Sequence, residues 1–199
     1  MILENTNQLL SYEFFNRPTL EVARDLLGKL LVKQIGEQVL IGKIVETEAY
    51  LGSHDPAAHA AAGRTKRTEI LFGEPGRAYI FQLRGHHCMN VTAEETGNPA
   101  CVLIRALEPL LGKEYMWQLR GSKITKETNL TNGPGKLCQA FEINMSHYGV
   151  DLTALNSPLY IAERDSDHFE IEVTARIGIT KAADKLFRFI VKNSYFVSK

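Results

Sequence analysis

The side chains best able to do chemistry cluster in Gly42-Lys43-Ile44-Val45-Glu46-Thr47-Glu48-Ala49-Tyr50-Leu51-Gly52. In an extended strand, side chains two apart share a face, so Glu46, Glu48 and Tyr50 project together with Ile44. Two carboxylates buried side by side push the pKa of one of them up, a known route to a general acid or base. The plainer alternative is the polar outer face of an edge strand. His54, Asp55 and His59 follow directly. Joined to Glu46 and Glu48 they make a conceivable metal-ligand set, although their spacing fits no zinc pattern and no thiolate accompanies them. His59 serves equally well as a hydrogen-bond donor to a base or to a buried carbonyl.

Arg105 sits inside the apolar run Ala100–Leu107. A guanidinium in such a strand needs a partner, because an unpaired buried charge is expensive, and Glu48 or Glu46 is the simplest one. Tyr79–Asn90 gathers aromatics, Arg84, His86 and His87 around one bend at Gly85, with Tyr79, Phe81 and Leu83 on a common face. Gly133-Pro134-Gly135-Lys136 opens a helix and offers free backbone N–H groups to an anion.

The elements that must carry these residues can be read from periodicity. Arg17-Pro18-Thr19 opens a helix closed by Gly28, with Leu20, Ala23 and Leu27 as its expected buried stripe. Strands are expected at Leu30–Val32 and Val39–Thr47 around a Gly36-Glu37-Gln38 turn, at Tyr79–Leu83 and Met89–Thr92, at Ala100–Ala106, and at Phe187–Val191. Glu170–Ile177 alternates, which predicts a strand with Ile171, Val173, Ala175 and Ile177 on one face and Arg176 on the other. Helices are expected at Lys113–Arg120 and Pro134–Phe141, with Gly121–Gly135 as a polar surface loop. Interspersed strands and helices with hairpin connections predict a single α+β domain over residues 1–199: a curved, largely antiparallel sheet, surrounding helices and a protruding β-hairpin.

Composition narrows the classes. With 199 residues, 44% apolar and 23% charged, the chain is neither disordered nor fibrous. Its longest apolar run, Ala100–Ile104, is far short of the roughly 20 residues a membrane span needs. Met1–Asn5 lacks the basic and apolar regions of a secretory signal, so a cytoplasmic protein with no membrane partner is expected. Cys88, Cys101 and Cys138 form no C-x-x-C pair and read as buried free thiols. Net charge is zero. The distribution is uneven, however: Ala61–Asn90 and Arg176–Lys199 are basic and Tyr160–Glu172 is acidic, which suits a one-sided nucleic-acid footprint.

Taken in order, Leu26-Leu27-Gly28, Ile44–Tyr50, Ala57-Ala58-His59, Cys88-Met89-Asn90, Ala100–Pro109, Gly133–Ala140 and Ala175–Gly178 resemble the alkyladenine (3-methyladenine) DNA glycosylase family across nearly the whole chain. The resemblance implies a monofunctional, metal-free and cofactor-free enzyme that hydrolyses the N-glycosidic bond of alkylated purines in double-stranded DNA and leaves an abasic site. Deaminated purines would be an extension of the same activity. It implies Glu48 as the base that activates water, and Arg105 with the backbone carbonyl of Ile177 as the groups that help hold that water. Tyr50, His59 and Phe81 become the walls around the flipped base, and Asn90 the residue that crowds out the 2-amino group of guanine. Arg64, Arg67, Arg84, His86 and Lys136 are the expected DNA contacts. Two positions depart from the family: Phe81 replaces a usual tyrosine, and the hairpin tip is one residue shorter. Arg84, His86 or a neighbour then takes the place of the usual tyrosine wedge. A monomer is expected. A metal-dependent hydrolase and a non-catalytic nucleic-acid-binding module remain the competing readings.

Overall fold

A computed structural model describes residues 8–154, 156–164 and 168–198. Met1–Asn5, Lys199 and positions 165–167 of the acidic segment named above lie outside the described residues. Four α-helices, α1 (Tyr12–Phe15), α2 (Thr19–Asp25), α3 (Lys113–Arg120) and α4 (Pro134–Ala140), accompany eight strands among the described residues. The strands are β1 (Leu30–Ile35), β2 (Gln38–Tyr50), β3 (Ala78–Leu83), β4 (His86–Ala93), β5 (Ala100–Leu111), β6 (Leu159–Ala162), β7 (Ile171–Thr174) and β8 (Arg188–Val191). They form one antiparallel sheet in the order β3-β4-β5-β2-β1-β6, with β8 paired to β2 and β7 to β8. The α+β expectation holds. No helix among the described residues is long and apolar enough to cross a membrane.

The long strand β2 organises the sheet by changing partner along its length. On one edge its first half pairs with β1, from Ile35↔Gln38 to Leu30↔Lys43. On that same edge Glu46–Glu48 then pair with Arg188–Ile190 of β8. Along its other edge it pairs with β5, and the register shifts around Ile44–Thr47, where Val45 on β2 and Arg105 on β5 have no direct partner. Bulges add twist and re-aim side chains, so Arg105 enters the sheet's interior at the point where the two carboxylates emerge.

Several expectations shift by identifiable causes. The buried stripe of α2 is Thr19, Val22, Ala23 and Leu26, with Leu27 just beyond its end, and Leu20 is 36% exposed. Ala23 and Leu27 are buried as expected; Pro18 starts the helix at Thr19, whose amide and hydroxyl both bond Glu94, and Leu20 turns outward. The strand expected over Glu170–Ile177 ends at Thr174. Arg176 is not on a solvent face but 3% exposed, since the chain leaves β8 there and turns into the interior. The Gly121–Gly135 segment is a surface loop only in its first half. Leu130–Gly133 are buried, held by Thr131 Oγ1 donating to the Leu107 carbonyl at 2.6 Å and by the Ala106↔Asn132 bridge. α2 and α4 cover one side of the sheet, and Leu26, Val45, Met89, Ile104, Leu137 and Phe141 are among the residues of the main core.

Candidate active site

Glu46 and Glu48 are both fully buried, and Arg105 reaches each of them: Nε donates to Glu46 Oε1 at 2.9 Å and Nη1 to Glu48 Oε2 at 3.2 Å. The partner expected for Arg105 is thus both carboxylates at once. The two then diverge. Glu46 also accepts from Arg188 Nε at 2.7 Å, from Ser198 Oγ at 2.8 Å and from the Ser198 amide at 2.6 Å. Glu48 accepts from the Tyr50 hydroxyl at 2.9 Å on Oε2 and from the Ile177 amide at 2.8 Å on Oε1. The Ile177 amide thus holds the carboxylate directly. A carboxylate offers about four lone-pair sites. Four protein donors among the described residues occupy Glu46, and three occupy Glu48.

Tyr50, Arg105 and Ile177, the three residues that hold Glu48, also line a cavity of about 400 Å³. That volume lies within the range of small-molecule sites, roughly 300–1,000 Å³. His59, Tyr79, Phe81 and Asn90 form other parts of its wall, with Pro134 and the exposed Leu83 also lining it. His59 meets the Phe81 ring edge-on with centroids 4.5 Å apart and shares a 2.8 Å hydrogen bond between Nδ1 and the Tyr79 hydroxyl. Arg67 stacks its guanidinium 5.2 Å from the Phe81 centroid and donates to His59 Nε2 at 3.1 Å. Arginine only donates, and its Nη2 lies nearer Nε2 than Nδ1 (3.1 against 3.5 Å), which favours the neutral ring with its proton on Nδ1, toward the Tyr79 hydroxyl. Burial and the Arg67 charge lower the His59 pKa to about 4, so the ring is neutral at pH 7. Burial first, and then the charge and hydrogen bond of Glu48, hold the Tyr50 hydroxyl far above its ordinary titration range, which keeps it a donor. Asn90 is set by its amide donating to the Tyr79 carbonyl at 3.1 Å.

Sequence reasoning missed a second ion pair. Arg176 and Asp55 have side chains 0% and 2% exposed and bond in two-pronged fashion, Nη1 to Oδ2 at 2.5 Å and Nη2 to Oδ1 at 2.9 Å. Arg176 also donates to the Ala49 carbonyl at 2.9 Å and lies 4.7 Å from the Tyr50 ring centroid and 5.2 Å from that of Phe187. It thus supports Tyr50 and sets the next residue, Ile177, against Glu48. Burial alone would raise the Asp55 carboxyl; the Arg176 bonds and the amides of Ala57 and Leu51 outweigh it and hold the pKa below the ordinary value. Asp55 is thus committed to Arg176, His54 is exposed, Glu46 pairs with Arg105 and Arg188, and Glu48 pairs with Arg105. Among the described residues no three His, Cys, Asp or Glu side chains gather around a common metal position. The signal for Arg176 was present in Ala175-Arg176-Ile177-Gly178, but alternation placed it on the polar face with Glu170, Glu172 and Thr174.

The expected DNA contacts separate. Arg84 is exposed at φ 50° and precedes Gly85 at φ 82°, the two central residues of a turn closed by Leu83↔His86. Positive φ at both positions matches a type I′ turn. His86 packs on Gly135, where an added Cβ would come within 2.9 Å of the His86 Cβ, so the start of α4 abuts the tip of the β3–β4 pair. Lys136 turns to Asn132 Oδ1 at 2.7 Å, with its pKa lowered by burial and by Arg120. Arg64 is tied to Glu69 by two bonds of 2.9 and 2.6 Å, which neutralises its charge. The three thiols are buried and free, and Cys88 and Cys101 lie in the cavity wall, with burial raising the Cys101 pKa to about 12.

The family model for methylpurine-DNA glycosylase matches residues 13–195. A protein of Desulfitobacterium hafniense (strain Y51), provisionally named 3-methyladenine DNA glycosylase, is 46% identical over 200 residues, covering 95% of this chain and 98% of the relative. A protein of Methanocella arvoryzae with the same provisional name is 44% identical over 195 residues, covering 96% of each. The chain belongs to the methylpurine-DNA glycosylase family.

Proposed function

We propose that this DNA glycosylase of base-excision repair extrudes an alkylated purine from double-stranded DNA into the 400 Å³ cavity and cleaves its N-glycosidic bond with a water activated by Glu48. The observation that carries the reading is the placement of Glu48: the three residues that hold it, Tyr50, Arg105 and Ile177, also line the cavity, and its Oε1 has one protein donor and a lone pair to spare, whereas Arg188 and Ser198, which hold Glu46, do not line it. Extrusion costs a few kcal/mol, and stacking on an aromatic wall returns about 1–3 kcal/mol per contact. Tyr50 and Phe81 supply that stacking without reading sequence. His59 presents a neutral edge, and the anchored Asn90 crowds the position of a guanine 2-amino group.

As the bond breaks, the sugar becomes oxocarbenium-like and the nearby carboxylate stabilises its charge. Water loses a proton to Glu48 and its oxygen bonds to C1′. The bonding pair leaves with the purine, and alkylation at N3 or N7 makes that purine a cation that departs neutral. Arg105 orients Glu48 from the side away from Oε1. Among the described residues no lysine lines the cavity. An amine nucleophile that would go on to cut the strand is therefore not at hand among them, which supports a monofunctional enzyme. Arg84 stands at the turn where a wedge into the vacated base stack is needed, beside the exposed Leu83.

The test is release of 3-methyladenine and 7-methylguanine from methylated duplex, together with hypoxanthine from a deaminated one; no release of any of these defeats the reading. DNA affinity against salt checks the footprint separately. Arg84→Ala should lower the steepness of log K against log salt by about one phosphate contact. Arg64→Ala should change it far less, because Glu69 already neutralises that charge. Equal slopes for the two variants would contradict the assignment.

A further inference from the structure

Glu46 takes no part in the chemistry above, yet it accepts four hydrogen bonds, and three elements distant from it in sequence converge on it. Arg105 comes from β5, Arg188 from β8, and Ser198 from the segment after β8. Ser198 also accepts from Arg105 Nη2 at 3.4 Å, and its carbonyl accepts from Arg188 Nη2 at 3.5 Å. The guanidinium of Arg105 is a planar, rigid fork. With Nε held by Glu46 and Nη2 by Ser198, the direction of Nη1 is decided, and Nη1 is the only one of its nitrogens that touches Glu48.

We propose that Glu46 is a positioning residue, locked by Arg188 and the Ser198 strap, that restrains Arg105 to a single contact on Glu48 Oε2. Arginine and carboxylate pair preferentially through two parallel bonds. Released from Glu46, Arg105 would swing onto both oxygens of Glu48 and occupy the Oε1 lone pair that water needs. The second carboxylate therefore keeps the first one available. The neighbouring groups agree with this division: Arg188 also donates to Thr174 Oγ1 at 3.1 Å, so it is braced against β7 and cannot follow Arg105.

This inference builds on the glycosylase reading, and its test separates the two. Base release is followed under single-turnover conditions on a duplex carrying one 7-methylguanine, with Kd for the same duplex measured alongside. The rate constant reports the folded enzyme alone, whereas a merely structural role would lower the amplitude. Glu46→Gln should lower the rate constant about 10²-fold, the effect of a misplaced catalytic group, with Kd unchanged. Ser198→Pro removes both the amide and the hydroxyl donor from Glu46 and should lower the rate constant about tenfold. Wild-type rate constants in both variants, or losses confined to amplitude or Kd, would overturn the positioning role. Wild type active and Glu48→Gln inactive, with both positioning variants at full rate, removes this inference alone; inert wild type removes the glycosylase reading with it.

Discussion

Glu48→Gln should fold and bind damaged duplex, yet release base about 10²- to 10⁴-fold more slowly, the range that a positioned general base contributes. Glutamine is nearly isosteric and keeps an oxygen for the Ile177 amide. It cannot take a proton from water, and its NH2 meets the Arg105 Nη1 donor with another donor. Arg105 retains Glu46 and so is not left unpaired. The expected stability loss is accordingly that of an altered buried hydrogen bond, about 1–3 kcal/mol, rather than an unfolded chain. Single-turnover release of 7-methylguanine measures the first effect and thermal unfolding the second. A variant that releases base at the wild-type rate would show that Glu48 is not the base.

Asp55→Asn should be the most destabilising of these changes. It leaves Arg176 buried without its counter-charge, which typically costs about 3–5 kcal/mol, and Arg176 Nε already has no hydrogen-bond partner among the described residues. Tyr50 and Ile177 both lean on Arg176, so base release should fall as well. The pH dependence has a definite sign. Because the folded-state pKa of Asp55 is held below its ordinary value of 3.8, the pair's contribution is complete above that value and is lost as pH falls through the lower, folded-state value. Wild type should lose this increment of stability on acidification below about pH 4, and Asp55→Asn should lack that part of the acid dependence. Unfolding by urea at pH 7 and near pH 3 measures both. Equal stability of the two proteins at pH 7 would rule out the structural role given to the pair.

Much of the chain was legible from local pattern. Helix α3 has the expected bounds to the residue, because its glycine-flanked polar and apolar residues at helical spacing leave little competition. The need of Arg105 for a carboxylate followed from one fact, that an apolar strand cannot bury a lone cation. That Glu46, Glu48 and Tyr50 emerge together followed from the two-residue period of a strand, and Arg105 bonding both carboxylates fits it.

What pattern could not supply was the choice among partners far apart in the chain. Asp55 and Arg176 are 121 residues apart, Glu46 and Ser198 are 152 apart, and neither pairing leaves a local mark. Arg176 even alternates correctly for a solvent-facing position, and only the departure of the chain from β8 turns it inward. The sequence by itself determined which chemical groups exist and which strand faces present them, since propensity and periodicity act over a few residues. Tertiary structure alone decided which partners each carboxylate meets: Arg188 and Ser198 for Glu46, Tyr50 and the Ile177 amide for Glu48. That division depends on a bulge at Arg105 and on where β2 exchanges β1 for β8, both products of strand register across the whole sheet.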